Sequence, residues 1–365
     1  MKRLSHTLLL ALIATTAHAA VLRVPNHYVT IQSAINAATP GDVVEIAGGT
    51  YLEHLSVADK TDLTLRPASG DKVILDAGGS GWPLLIGAPG MVTSKIRVNK
   101  LRIRNTSNGS GVWIGHATDV WVDNCEITNV VDGVFSIVSD SVLVRKCKIK
   151  STLGNGIVCI QGDLCAFQNR ISSTGANGIQ LIGNGSWAMS NTIDHTVGDG
   201  VRLGDDSTTT TGCLVHLNSI KNSQGDGVFC TNMVGTASIL GNRISRCLDD
   251  GIDLHYGSLQ CEVAFNNINR CTDGGLEIHS NSHTIRKNKI KRAAIDGIYV
   301  NAGSVNSLYE KNKVTKSCAD GLEVNGTGNT FTRNKVVGSG LYDLRNNVPL
   351  IANTFIANTF GSIAP

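Results

Sequence analysis

Titratable side chains recur in the second half of the chain at a spacing that suits proton transfer. The segment DGIDLHY contains Asp253, His255 and Tyr256, and the segment GGLEIHS contains Glu277 and His279 at the matching positions. A histidine has an unperturbed pKa of about 6.5, which suits a general base near neutrality, and a nearby carboxylate can orient its ring. The pattern predicts a catalytic site in which His255 is the base and Tyr256 or His279 returns a proton.

Other polar residues of the same region are predicted to bind substrate. They are Arg202, Asp250, Tyr299, Asn301 and Glu323. The carboxylates of Asp250, Asp253 and Glu277 form a candidate Ca²⁺ site, because this ion prefers oxygen ligands. No Cys/His spacing typical of structural zinc occurs, so calcium is the one cofactor that the sequence indicates.

A repeat that runs through most of the chain must position these side chains. A Gly followed by Val, Ile or Leu recurs at Gly111, Gly133, Gly156, Gly178, Gly200, Gly227, Gly251, Gly275, Gly297 and Gly321. A second column, Asn-x-Ile/Val, recurs at Asn169, Asn191, Asn218, Asn242, Asn266, Asn288, Asn312 and Asn334, with Cys125 and Cys147 in the same slot of two earlier repeats. One such unit cannot bury its own apolar face, so the units must stack.

We therefore predict an all-β fold, a single-stranded parallel β-helix whose coils lie about 4.8 Å apart. Stacking in register makes Asp253 and Glu277 lateral neighbours, and it lets the Asn side chains bond to one another. Like charges at that distance repel, so the two carboxylates must share a proton, bind a cation or face a cationic residue. The same outward polar patch is expected to include His283 and the Asp residues that precede the glycines.

The two ends of the repeat differ from its middle. Residues 31–38, IQSAINAA, have helical apolar spacing and predict a short N-terminal capping helix. The segment 351–360, IANTFIANTF, is expected to close the other end as a C-terminal cap. The predicted organisation is an N-terminal cap and first coil over residues 20–60 and the β-helix over residues 61–365.

Residues 1–19 have the composition of a secretory signal peptide. Lys2 and Arg3 precede an apolar run that is too short to span a bilayer, and Ala17-His18-Ala19 has the form of a cleavage site. We therefore expect a secreted or periplasmic protein without a membrane anchor. Its 41% hydrophobic residues suffice for a core, and its net charge of +3 does not favour nucleic-acid binding. We expect a monomer.

The segment VPNHYVTIQSAINAATPGDVVEIAGGTYLEH (24–54) and the DG-[VIL] and Asn-x-[IV] coils resemble the pectin-lyase-like superfamily. The resemblance covers nearly all of the chain after residue 19, and it implies a right-handed parallel β-helix. DGIDLH (250–255) is similar to the Asp-Pro-His signature of mannuronan C5-epimerases and related lyases, with Asp253 and His255 as the matching residues. Leu254 replaces the Pro, and Tyr256 follows the His instead of preceding the motif.

The resemblance and the site residues together predict a lyase or C5-epimerase that acts on a uronate-containing, acidic polysaccharide. An outward basic column, formed by Lys148, Arg170, Arg243, Lys289, Lys313 and Lys335, is consistent with an acidic glycan. Two alternatives stay open. Paired carboxylates such as Asp253 and Glu277 suit a glycoside hydrolase. The fold also occurs in non-catalytic proteins, so a glycan-binding or surface role is possible.

Overall fold

The computed structural model describes residues 19–205, 207–235 and 237–365 and confirms the parallel β-helix. Each coil contributes one strand to each of three sheets, which have 15, 13 and 14 strands over the described residues, so the solenoid has about 14 turns. Neighbouring strands are parallel and come from successive coils, as the repeat predicts.

The strands of the three sheets follow one another in chain order. The 15-stranded sheet contains Val21–Val24, Val43–Ile46, Thr61–Pro67, Thr93–Asn99, Ala117–Asp123, Val142–Arg145, Leu164–Phe167, Trp187–Met189, Leu214–His216, Ser238–Leu240, Glu262–Ala264, Thr284–Arg286, Leu308–Glu310, Thr330–Thr332 and Thr354–Ile356. The 13-stranded sheet contains Leu55–Val57, Leu84–Ile86, Val112–Gly115, Val134–Ile137, Ile157–Ile160, Ile179–Ile182, Val201–Leu203, Val228–Cys230, Ile252–Leu254, Leu276–Ile278, Ile298–Val300, Leu322–Val324 and Leu344–Asn346. The 14-stranded sheet contains Gly49–Tyr51, Val73–Gly79, Arg102–Thr106, Glu126–Val130, Lys148–Thr152, Arg170–Thr174, Thr192–Thr196, Ser219–Ser223, Arg243–Ser245, Asn267–Asn269, Lys289–Lys291, Lys313–Thr315, Lys335–Val337 and Thr359–Phe360.

One α-helix, Ile31–Ala37, and one 3-10 helix, Leu350–Ala352, complete the described elements. Thr30 caps the α-helix by accepting the Ser33 backbone N–H, and the helix buries Ile31, Ala34 and Ile35. A capping function for this helix and the domain boundaries stay predictions.

Residues 1–18 of the predicted signal peptide lie outside the described residues. None of the helices in the described part of the chain is long and apolar enough to cross a bilayer.

The glycine column is explained by how closely successive coils approach. A Cβ atom at Gly251 would lie 2.3 Å from Cγ2 of Ile268 and 2.5 Å from the carbonyl oxygen of Gly275. Gly227 and Gly275 meet the next coil in the same way. Any larger residue would push two coils apart, so the repeat requires Gly at this corner to let the inward Val and Ile columns pack.

The predicted asparagine column forms a continuous buried ladder. The Asn266 side-chain amide donates to Oδ1 of Asn288 at 3.0 Å and to the carbonyl of Ile239 at 2.8 Å, while its own Oδ1 accepts from Asn242. The same bonds recur from Asn169 to Asn334, and Asn358 extends the ladder into the last coil. The ladder satisfies polar backbone at this corner of the coils it spans and fixes their register.

A second ladder occupies the corner before the glycines and corrects part of the predicted outward patch. Each side-chain oxygen there accepts the backbone N–H at the same slot of the next coil, for example Asp226 from Asp250 and Asp250 from Gly274. Asp296 and Asp320 are bound in the same way and are buried. These residues follow ordinary turn chemistry, in which a short acidic side chain bonds to nearby backbone.

His283 also departs from the expected patch. It is only 1% exposed, its Nδ1 accepts the Cys261 backbone N–H at 3.1 Å, and its Nε2 lies 3.0 Å from the Ser280 hydroxyl. Burial lowers the pKa of His283 to about 4, so the ring is neutral and has a structural role. The prediction was wrong here because His283 follows a corner, where the alternation of a strand no longer applies.

Candidate functional site

The outward column of the 13-stranded sheet carries the predicted site. Its register pairs Arg202 with Phe229, Phe229 with Asp253, and Asp253 with Glu277. Glu277 then pairs with Tyr299. The two carboxylates are therefore neighbours on adjacent strands, as the spacing of 24 residues predicts.

Two histidine–carboxylate pairs form, each between a strand residue and the residue just after the end of that strand. Nδ1 of His255 lies 3.2 Å from Oδ2 of Asp253, and Nε2 of His279 lies 3.0 Å from Oε1 of Glu277. In both cases the carboxylate precedes the histidine by two residues, so the alternation of the strand directs both side chains to the same face. The repeat of the coil then places the second pair beside the first.

Tyr256 lies against both histidines at the outer edge of the sheet. Its ring centroid is 4.8 Å from that of His255 and 5.0 Å from that of His279, and the two imidazole centroids are 5.3 Å apart. Tyr256 is 55% exposed, whereas the two histidines are partly buried. A solvent-accessible cluster of one phenol and two imidazoles therefore lies over the two carboxylates.

Asp253 is the buried member of the cluster. Its side chain points outward with that of His255, but neighbouring coils cover it, so it is only 6% exposed. Its Oδ1 atom is buried and has no hydrogen-bond partner among the described residues. Burial raises the pKa of Asp253 to about 8, although the nearby His279 acts in the opposite direction.

The pKa of Glu277 is lowered, whereas that of Asp253 is raised. The hydrogen bond from His279 lowers the pKa of Glu277 to about 2, and Glu277 in turn raises the pKa of His279. Burial together with a hydrogen bond to Glu277 raises the pKa of Asp250. Asp250 is the more deeply buried of the two carboxyls, so it keeps the proton and Glu277 stays ionised.

The other predicted binding residues surround this cluster at different depths. Arg202 is held by Asp199 at 3.2 Å, and its guanidinium lies 4.2 Å from the centroid of the Phe229 ring. The ring of Tyr299 lies 6.5 Å from that of His279. Asp250 belongs to the buried ladder, where it contacts the site through Glu277 alone among the predicted residues.

Asn301 and Glu323 lie further along the solenoid. Asn301 accepts the Gly303 backbone N–H within its own turn. Glu323 pairs in register with Tyr299 and accepts hydrogen bonds from Asn325 and Asn347. The outward column therefore brings Arg202, Asp253, Glu277, Tyr299 and Glu323 into one line, whereas Asn301 lies at its margin.

Phe229 was missed as a site residue. It lies between Arg202 and Asp253 in the register, and its ring centroid is 5.3 Å from that of His255. Its position two residues after Gly227 in the repeat was the available signal, because that slot defines the outward column. An aromatic face beside the histidines offers a surface for a sugar ring.

The donor atoms of the cluster can be compared with the ligands that a transition metal and calcium each prefer. Ligand atoms of Asp253, His255 and His279 lie within 4.8 Å of one another, a donor set that suits a transition metal better than calcium. The predicted calcium ligands Asp250, Asp253 and Glu277 fit less well, because the first two have pKa values that favour the protonated form.

The chain belongs to the right-handed β-helix family. The family model described as "Right handed beta helix region" matches residues 86–193 and 177–338. The coils and the solved structures below identify the fold as the pectin-lyase-like right-handed parallel β-helix. The comparison with curated proteins gave no match.

Several solved structures have the same fold. The A-module of a mannuronan C-5 epimerase from Azotobacter vinelandii aligns with 92% of this chain and 94% of its own at 16% identity, with a TM-score of 0.66. An alginate lyase solved with a trisaccharide aligns with 96% and 87% at 13% identity, with a TM-score of 0.57. A surface adhesin of Streptococcus pneumoniae aligns with 92% and 89% at 13% identity, with a TM-score of 0.55. Similarity at these identities shows the fold alone.

Proposed function

We propose that this protein is a carbohydrate-active enzyme that abstracts the C5 proton of a uronate in an acidic polysaccharide, as a lyase or a C5-epimerase. One observation carries the proposal: two histidine–carboxylate pairs on adjacent strands place their imidazoles 5.3 Å apart with Tyr256 against both. Abstraction of a proton next to a carboxylate needs a base, a cation that neutralises that carboxylate and an acid, and this cluster has one candidate for each.

His279 supplies the cation. Its bond to Glu277 raises its pKa, which favours the protonated, positively charged ring. A sugar carboxylate beside the ring would share this positive charge with Glu277, and this partial neutralisation makes the C5 hydrogen more acidic. Arg202, two coils before Asp253, is held by Asp199 and can contact a neighbouring uronate along the column.

His255 supplies the base, and Asp253 orients it. When Asp253 is ionised, its Oδ2 accepts the Nδ1 proton of His255, so the neutral ring has its lone pair on Nε2, and this nitrogen can take the C5 proton. When Asp253 is protonated, it donates to Nδ1, and Nε2 then carries the proton and cannot act as a base. The ionisation state of Asp253 therefore determines whether His255 can act as a base.

Tyr256 supplies the acid. In a lyase, the C5–H bond breaks, a C4–C5 double bond forms, the C4–O bond breaks, and the leaving oxygen takes the proton of the phenol. In an epimerase, a proton returns to C5 from the opposite face and the chain stays intact. Tyr256 is exposed and contacts both histidines, so it can be re-protonated through either ring or through solvent.

A glycoside hydrolase is the second candidate, because the two central carboxyls have widely separated pKa values. Asp253, at about 8, would be the protonated acid, and Glu277, at about 2, the ionised nucleophile. Neighbouring strands lie about 4.8 Å apart, which suits the short carboxyl separation of a retaining enzyme. The bond between Glu277 and His279 disfavours this role, since a cation already occupies the carboxylate.

Several accompanying features belong to the same proposal. Export to the periplasm or the medium suits an enzyme that meets a polymeric substrate, and we propose that it acts as a monomer. Calcium at Asp250, Asp253 and Glu277 would have to displace bound protons, so its binding should strengthen as the pH rises. The test of the proposed function therefore compares activity with added calcium and with a chelator.

The test is incubation of residues 20–365 with alginate and with pectate in deuterium oxide, with calcium or with a chelator. A lyase produces absorbance from unsaturated uronate, and an epimerase incorporates deuterium at C5 without cleavage, which proton NMR detects. New reducing ends without unsaturation would instead identify a hydrolase. No change with either substrate would contradict the proposal. His195→Ala, an exposed histidine on the 14-stranded sheet, is the matched control for His255→Ala.

A further inference from the structure

A different face of the solenoid carries positive charge that the proposed chemistry does not use. It lies on the 14-stranded sheet, where the outward positions of four successive strands hold Arg243, Ser245, Asn267, Asn269, Lys289, Lys291, Lys313 and Thr315. These positions contain no acidic residue. The strands lie side by side, so the basic residues form columns that run along the solenoid axis.

The residue three positions after the start of each strand adds a further column, the corner column, which lies near the strand end in earlier coils and just after it in later ones. This residue has a left-handed backbone, and in six earlier coils it is Asn105, Asn129, Ser151, Ser173, His195 and Asn222. In the next four coils it is Arg246, Arg270, Arg292 and Lys316, with φ of 59°, 61°, 57° and 61°. Asn tolerates this conformation better than Arg or Lys, so conformational preference does not explain the change.

Carboxylates neutralise the same sheet in the early coils but not in the later ones. Glu126 lies between Arg102 and Lys148, at 3.4 and 3.6 Å from them. Among the described residues, no ion pair involves any of the later basic residues of the strands and the corner column. Arg292, Lys316, Lys289 and Arg270 lower the pKa of Lys291, which is the effect of an uncompensated positive cluster.

Part of this basic face forms a groove, not a convex edge. Its lining includes Lys221, Arg243, Arg246, Asn267, Lys289 and Arg292, and it runs across four coils. Successive basic positions in a column are about 4.8 Å apart. A pyranose in an extended chain advances by a comparable length, so one acidic sugar can face each coil.

We propose that this groove is a second glycan-binding site, which holds an extended acidic polysaccharide along the solenoid axis. The amides of Asn267 and Asn269 and the hydroxyl of Ser245 lie between the charges, where sugar hydroxyls would need partners. None of the outward strand positions or corner positions of this face is aromatic. Proteins that hold single-stranded nucleic acids rely on aromatic stacking, so the composition favours a glycan.

The second site is independent of catalysis at the histidine cluster, because it lies on a different sheet. It goes beyond the proposed function because it assigns a second binding surface. This surface holds the polymer on the protein whether or not another part of the polymer occupies the histidine cluster. Its test must therefore measure binding in a protein that does not turn over substrate.

The experiment uses His255→Ala as the background and measures alginate binding by calorimetry at several salt concentrations. The test variant adds R246Q, K289Q and R292Q, which lie in the groove, and the matched control adds K72Q, K95Q and K100Q, which remove the same charge from exposed positions in early coils. We expect the test variant to weaken binding by about tenfold or more, since three charge-assisted contacts are lost, and to reduce its salt dependence. The control should change affinity by less than about twofold.

Equal weakening by both triple variants would overturn the proposal, because binding would then follow net charge alone. Unchanged binding in the test variant would also overturn it. A single-stranded oligonucleotide of equal charge that bound as tightly as alginate would contradict the assignment of a glycan. Failure of turnover in the wild-type protein would leave this measurement intact, so the two proposals fail separately.

Discussion

Nδ1 of His255 lies 3.2 Å from Oδ2 of a carboxyl group, Asp253, whose pKa is raised to about 8 by burial. The pair therefore changes its hydrogen-bonding state within the pH range in which an enzyme is assayed. Below the pKa of Asp253 the carboxyl donates to the ring, and above it the carboxylate accepts from the ring. This relationship makes the tautomer of His255 depend on the ionisation of Asp253.

The first prediction concerns pH. We expect kcat/KM on a uronan to rise with pH through about 8, because the free enzyme must ionise Asp253 before His255 can act as a base. Asp253→Asn keeps an oxygen that can accept the Nδ1 proton but cannot titrate, so this rise should disappear while the rate falls by about 10- to 100-fold. A profile of Asp253→Asn that retains the same rise would contradict the assignment. Complete loss of activity would instead favour the hydrolase.

The second prediction separates the base from the acid. His255→Ala should reduce kcat by at least about 100-fold with little change in KM, because the base acts mainly in the transition state. Tyr256→Phe keeps the ring against both histidines but removes the phenolic proton, so it should lower kcat by a similar factor while keeping the fold. Circular dichroism and initial rates check both variants. Full activity of His195→Ala is required for the comparison to hold.

The third prediction concerns the charge on His279. Glu277 raises the pKa of His279, so Glu277→Gln should let this ring lose its proton at a lower pH. The alkaline limb of the activity profile should therefore move to lower pH, and NMR titration of the His279 ring should show the same shift. Glu262→Gln, which removes a carboxylate paired with Arg286 on another sheet, serves as the control. An unmoved His279 titration in Glu277→Gln would refute the coupling.

The fourth prediction tests the asparagine ladder. Asn266→Ala removes a buried amide, and its partners in two coils each lose a hydrogen bond, so we expect the free energy of unfolding to fall by about 2–4 kcal/mol. The adjacent Asn267 is exposed, and Asn267→Ala should change it by less than about 0.5 kcal/mol. Urea unfolding followed by circular dichroism compares the two. Similar losses in both variants would mean that the ladder has no special role.

The spacing of Gly and Asn predicts the coils, their register and the contact between Asp253 and Glu277, because both columns reflect backbone packing that recurs in every coil. Sequence also places His255 and His279 on one face through strand alternation. The sequence does not predict that the outward side chain of Asp253 is buried, because this burial depends on how side chains of neighbouring coils pack around it. It fails for His283, which lies beyond a corner where no period applies.

The fifth prediction concerns the buried aspartate ladder. Burial raises the pKa of Asp226 to about 9, well above its value of about 3.9 in an unfolded chain. The protonated carboxyl stabilises the fold fully below about pH 4, and this contribution is lost progressively as the pH rises towards about 9. Asp226→Asn keeps an oxygen that can accept the Asp250 N–H, as the side chains of Asn155 and Asn177 do at the same slot of earlier coils. Unlike Asp226, an asparagine does not titrate.

We therefore expect Asp226→Asn to gain on the order of 2–4 kcal/mol in unfolding free energy, relative to the wild type, between pH 5 and pH 8. Thermal unfolding at the two pH values measures this difference. Asp132→Asn, at the same ladder slot but half-buried, is the control and should gain much less. A gain that is independent of pH would show that ionisation of Asp226 is not its source.

Because every coil bonds only to its two neighbours, the length of the molecule can vary separately from its chemistry. Duplication of residues 156–177, one whole period between Gly156 and Gly178, would extend the solenoid by one strand spacing and leave the partners of Asp253, His255 and His279 unchanged. Insertion of a single residue within Ile252–Leu254 would instead exchange its inner and outer faces. Under the proposed function, whole-coil gains and losses would therefore change the length of the polymer-binding face without altering the histidine cluster.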